Sequence, residues 1–146
     1  MYEYYEEYSE YVGRKRGQLI IDERFCGRSL EVYTVDGEKL LGLVDEVGCS
    51  EIGMFVENTP VIVSRNAILY IVTGLSDVHG AGGKCEKEFV LDENFIGSDV
   101  VVKLINGHEI EGRLIKVCKN EIAVAQSNRA IVVPRTSISY IKILRR

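Results

Sequence analysis

Hydrolytic or transfer chemistry needs a nucleophile held beside a base. The chain offers two histidines for that role, His79 and His108. His79 sits in a glycine-rich stretch and His108 directly follows an Asn106-Gly107 pair. No Ser/His/Asp or Cys/His constellation recurs, and no phosphate-cradling glycine loop is present. Catalysis is therefore not expected, nor is a cofactor. The four cysteines, Cys26, Cys49, Cys85 and Cys118, form no CxxC pair and have no zinc-ligand spacing. No metal site is expected, and the four read as reduced, half-buried thiols. What remains is cationic chemistry. Net charge is −4, so the chain as a whole is no generic polyanion binder. The charge is uneven, however. Residues 17–75 hold nine acids against four bases, whereas residues 89–146 hold six against nine. Phosphate contacts, which rest on Lys and Arg, would fall to the second half. The candidates are Lys116, Lys119, Arg129 and Arg135, with the Asn120 amide for a base edge. The plainer reading makes these lysines a solvated face, and Arg135 a residue that holds a turn or meets a neighbour's acid.

The elements that position these residues are repeated. Offset by 70, residues 19–71 and 89–141 align without a gap. Matched positions include Asp22/Asp92, Phe25/Phe95, Gly37/Gly107, Gly42/Gly112, Glu51/Glu121, Arg65/Arg135 and Tyr70/Tyr140. Residues 17–75 and 89–146 are thus two copies of one small domain. Residues 76–88 form a glycine-rich linker, with Gly80, Gly82 and Gly83. Residues 1–16 form a tail: an acidic, tyrosine-rich run, then Arg14-Lys15-Arg16. The tail reads as a solubilising extension. No apolar run approaches the length of a membrane span, and the acidic N-terminus is the opposite of a signal peptide. A soluble, cytoplasmic protein is expected.

Each copy reads as five short strands. Val100, Val102 and Leu104 alternate, and Asn106-Gly107 follows (Asp36-Gly37 in the first copy), a strong hairpin signal. The second strand carries Ile110, Gly112 and Leu114, whose glycine permits a bend or a close backbone approach. A third strand holds Ile122 and Val124, a turn near Ser127-Asn128 leads to a fourth, and Pro134 to Ser137 steps into the last. Leu91 to Gly97 fits one helical turn ahead of the first strand. The pattern gives an all-β protein with two small, strongly bent five-stranded barrels, and an SH3-like barrel fits it nearly as well.

The stretches VVVKLINGHEIEGRLIKV and VVPRTSISYI, with VYTVDGEKLLGLVDEV and SRNAILYI in the first copy, resemble the two conserved motifs of the Sm-like family (Sm, LSm and Hfq proteins). The likeness covers nearly all of both copies. It implies a ring of six or seven Sm-like domains, built here from a homo-oligomer of tandem chains, whose neighbours pair their last strands edge to edge. It also implies single-stranded RNA as partner, held by two pore-side loops. In this sequence those loops hold Ser50, Arg65 and Asn66 in the first copy, and Lys119, Asn120, Arg135 and Thr136 in the second. The chain departs from the family where an aromatic residue and an acid often hold a base: Gly48-Cys49-Ser50 and Cys118-Lys119-Asn120 stand there. With those base-holding groups missing, a protein-interaction scaffold on the same fold is the second reading.

Overall fold

The computed structural model describes residues 19–78, 83 and 85–145. The tail 1–16, its Arg14-Lys15-Arg16 cluster and His79 lie outside the described residues, as does much of the linker. The described chain is all β, with single 3-10 turns between strands. Strands β1 (Ser29–Thr34), β2 (Lys39–Val47), β3 (Glu51–Val56), β4 (Thr59–Ser64) and β5 (Ile68–Val72) come from the first repeat. Strands β6 (Asp99–Leu104), β7 (Glu109–Val117), β8 (Glu121–Gln126), β9 (Arg129–Pro134) and β10 (Ile138–Arg145) come from the second. The two sets follow the same order, with strand starts 70 residues apart.

Local chemistry explains each element. In β1, Leu30, Val32 and Thr34 alternate inward, as a half-buried strand requires. Gly37 and Gly107 take φ of 91° and 92°, the left-handed region the β1–β2 and β6–β7 hairpins need. The in-strand glycines Gly42 and Gly112 serve close approach. A Cβ on Gly42 would run into the Phe55 carbonyl oxygen, and one on Gly112 into that of Ala125. The expected turn ahead of each first strand is a 3-10 turn, Glu23–Phe25 or Glu93–Phe95. In each, an aspartate caps the start: Asp22 accepts from the Arg24 amide and Asp92 from the Asn94 amide. The fourth strands follow two-residue turns at Glu57-Asn58 and Ser127-Asn128.

All ten strands join one antiparallel sheet in the order β5-β1-β2-β3-β4-β10-β6-β7-β8-β9. The sheet is open: β5 and β9 each have one neighbour, and no pairing closes either repeat on itself. The last strand of the second repeat is inserted between the repeats, pairing Tyr140 with Val63 and Ile141 with Ile62. Two buried clusters form, one per repeat, and they exchange residues across this seam. Tyr140 packs into the first cluster and Ile62 into the second. Each such fully buried side chain contributes about 1.5–3 kcal/mol. Polar contacts reinforce the seam. Lys103 reaches the Glu38 carboxylate at 2.8 Å, and the Ser139 hydroxyl donates to Asp36, which sits buried at the hairpin turn.

The cysteines require a correction. They are expected to be reduced, but Cys49 and Cys85 form a disulfide, with their Cα atoms 5.3 Å apart. Residues 36 apart in sequence meet because the linker returns across the first repeat before β6 begins. Cys26 and Cys118 are free and exposed. Among the described residues, no helix is long and apolar enough to cross a membrane.

Candidate functional site at the seam between the repeats

Each repeat presents the same pair of turns on one side of the sheet. The first joins the second and third strands. The second is the 3-10 turn before the last strand, Arg65–Ala67 or Arg135–Ser137. One backbone pattern locks both pairs. Gly48 donates to the Glu51 carbonyl and Arg65 to that of Ser50; Cys118 donates to Glu121 and Arg135 to Asn120. Docking of the repeats then brings the two pairs together. A pocket of about 370 Å³ lies on the seam, lined by Ser50 and Asn66 from the first repeat and Lys119, Asn120, Arg135 and Thr136 from the second. Ile62, Ile138 and Ile141 supply apolar wall, and Phe89 an aromatic one.

Six of the seven expected contact residues therefore share this pocket, and Arg65 does not. Lys119, Asn120, Thr136 and Asn66 are exposed, and their side chains make no hydrogen bond among the described residues. Those groups are available to a ligand. The Ser50 hydroxyl donates to the Glu88 carboxylate. Each of the three guanidinium nitrogens of Arg135 donates within the chain. Its Nε donates to the Cys118 carbonyl (3.1 Å), Nη1 to Glu51 (2.9 Å) and Nη2 to the Leu91 carbonyl (3.0 Å). It also lies 3.9 Å above the Phe89 ring. These are the contacts of an arginine that fixes a turn and a wall. Arg65 makes two of the same bonds, to the Gly48 and Ile21 carbonyls. Burial pushes its pKa down, and Asp22 partly offsets that. Lys116 and Arg129 lie outside the pocket; Arg129 donates to the Gln126 side chain.

Glu51 is the other half of the clamp. Its carboxylate accepts from the Val90 and Leu91 amides and from Arg135. Burial pushes its pKa up, against the pull of the Leu91 amide and the Arg135 charge. With Lys119 and Arg135 facing Glu51 and Glu121, the pocket is close to neutral overall. A neighbouring depression shares Phe89, Lys119 and Arg135 with this pocket and adds the carboxylates of Glu88, Asp92 and Glu93. Among the described residues, no group of three or more His, Cys, Asp or Glu side chains could hold a metal ion.

Sequence reasoning missed Phe89 and the partner of Glu51. Phe89 aligns with Leu19 ahead of the first element, where nothing marks it as a pocket wall. Glu51 recurs as Glu121 and was legible as a repeated strand-edge acid, but its partner lies 84 residues away across the seam. Set against known proteins, the chain matches no family model and no curated protein.

Proposed function

We propose that the chain is an Sm-like RNA-binding protein. In this reading each repeat is a small bent-sheet barrel, chains join head to tail into a ring inside the cell, and single-stranded RNA is held at the seams. The observation that carries it is the seam pocket, where the exposed Lys119, Asn120, Thr136 and Asn66 converge with Ser50 on an aromatic wall. Lys119 would take a phosphate, and the Asn66 and Asn120 amides would take base edges. Arg135 acts as a positioning residue, because each of its guanidinium nitrogens already donates to Glu51 or to the Cys118 and Leu91 carbonyls.

The free edges support the ring. Edge strand β5 is the counterpart of β10, and edge strand β9 the counterpart of β4, so each edge repeats one half of the inner seam. Tyr70 is 55% exposed where Tyr140 is 3% exposed, and Val132 is 58% exposed where Ile62 is 4% exposed. Copying the inner seam between chains would pair Tyr70 with Val133 and Ile71 with Val132. It would also set Glu121 of one chain against Arg65 of the next. Such a heterologous contact closes into a ring when its rotation allows.

The second reading, a scaffold without RNA, is favoured by Arg135, whose three guanidinium nitrogens all donate within the chain. Light scattering with a fluorescent uridine hexamer separates the two. The RNA reading expects three or more chains per particle, salt-sensitive binding, and about tenfold weaker binding for Lys119→Glu. A particle of that size indifferent to the hexamer at low salt leaves the scaffold. A monomer removes the ring.

A further inference from the structure

The two equivalent turns share a backbone and differ in their cover. In the second repeat, Cys118-Lys119-Asn120 is exposed. In the first, the linker crosses the turn. The Cys49 amide donates to the Lys87 carbonyl (2.8 Å) and the Ser50 amide to the Glu88 carbonyl (2.9 Å). The Ser50 hydroxyl donates to the Glu88 carboxylate, and Lys87 pairs with Glu46 at 2.5 Å. The fit is tight, since a Cβ on Gly48 would stand 2.9 Å from the Glu88 carbonyl oxygen. Gly48 is buried, and Cys49 and Ser50 are half-buried. The Cys49–Cys85 bond ties this cover to the turn it covers. Three turn donors therefore face two carbonyls and a carboxylate, acceptors that stand where phosphate oxygens would.

We propose that the first repeat's turn is a latent second contact for single-stranded RNA, and that the Cys49–Cys85 disulfide is a redox latch that keeps the linker over it. The proposal rests on the RNA reading for its ligand, but not for the latch. The reductant is a dithiol. One thiolate attacks a sulfur of the disulfide and gives a mixed disulfide, and the second thiol displaces it. The dithiol leaves oxidised, and Cys49 and Cys85 gain two electrons and two protons as thiols. Both cysteines are half-exposed and so within reach. Once they are reduced, residues 86–88, which are exposed, hold the turn only through three hydrogen bonds and a surface ion pair. Exposed ion pairs and single hydrogen bonds of this kind are weak. The cover then opens, and the Cys49 and Ser50 donors become available to phosphate.

The test is amide hydrogen exchange on the full chain with no RNA present, followed by titration with a fluorescent uridine hexamer. It compares the oxidised protein, the protein reduced with dithiothreitol, and Cys85→Ser. A thiol titration should count two free thiols in the oxidised chain and four after reduction. Reduction and Cys85→Ser should each speed exchange of the Cys49 and Ser50 amides at least tenfold, leave the Lys119 and Asn120 amides unchanged, and raise hexamer stoichiometry from one to two per chain. Unchanged Cys49 and Ser50 exchange in both reduced forms overturns the latch, whatever the hexamer does. Faster exchange with stoichiometry still at one overturns the latent site. Faster exchange with no hexamer bound in any state supports the latch and removes the RNA reading instead.

Discussion

Glu51 and Glu121 carry the same side chain at the same place in two repeats, yet their energetics differ completely. Glu51 is buried against two amides and Arg135, whereas Glu121, at the start of β8, is exposed and has no such partner among the described residues. Truncating a buried, paired charge strands its partners, so Glu51→Ala should destabilise the chain by about 3 kcal/mol in urea unfolding. Glu121→Ala should change the stability of the isolated chain by less than about 0.5 kcal/mol. Equal losses would show that the clamp does not depend on burial. Asp22 gives a pH signature of known sign. The Arg24 side chain, with the Arg24 and Gly83 amides, holds its pKa below the ordinary carboxylate value. A depressed folded pKa adds stability above the unfolded value of about 3.9, and that stability is lost as pH falls through the folded value. Wild type should therefore outlast Asp22→Asn near neutrality, with the gap closing as pH falls below about 4. Thermal melts across that range would measure it. Glu51 works in the opposite sense. Its raised pKa means that charging it costs more in the folded state, so its share of stability declines as pH rises from its unfolded value through its folded one.

At the scale of elements, the in-strand glycines are close-approach sites, and they set the path of β2 and β7. Gly42→Ala or Gly112→Ala forces a methyl group onto the carbonyl oxygen of the adjacent strand. Each should cost about 2 kcal/mol, the usual range for an overpacked site, and a lowered melting temperature checks it. No penalty would mean the strands can part there. The last strands show that position in the sheet, more than composition, decides burial. β5 and β10 carry the same Ile-x-Tyr-Ile pattern. β10 lies between two strands and fills both cores, whereas Tyr70 in β5 stacks on Tyr33 at the sheet's end. Tyr140→Ala should accordingly cost about 3–4 kcal/mol, and Tyr70→Ala far less in the isolated chain.

For the whole molecule, the question is what covers two unpaired edges that together rebuild the inner seam. If chains copy that seam, reversing one charge should break assembly and reversing both should restore it. Glu121→Arg and Arg65→Glu should each shift the particle toward single chains by light scattering, and the double variant should recover the larger mass. Failure of the double variant while both singles dissociate would reject the pairing of these two residues. Unchanged mass in every variant would remove the charge contact from the assembly.

Much of this could be read from the sequence by itself. The repeat offset, the strand-and-turn order, the glycine turns and one helical turn ahead of the first strand are local patterns, set by φ preference and alternation within a few residues; the 3-10 form of that turn and its aspartate cap came from the structure. The two turns of each candidate loop pair were equally legible, because their positions follow from strand order. Only the tertiary structure decided that the repeats share one open sheet with β10 inserted beside β4. It also decided that Arg135 spends its donors on Glu51 and two carbonyls, that Phe89 walls the pocket, and that Cys49 meets Cys85. Each of these depends on one face of one repeat meeting one face of the other. Repeats that share one strand-and-turn pattern have similar local preferences, so only docking could make Tyr140 a core residue and leave Tyr70 at an edge.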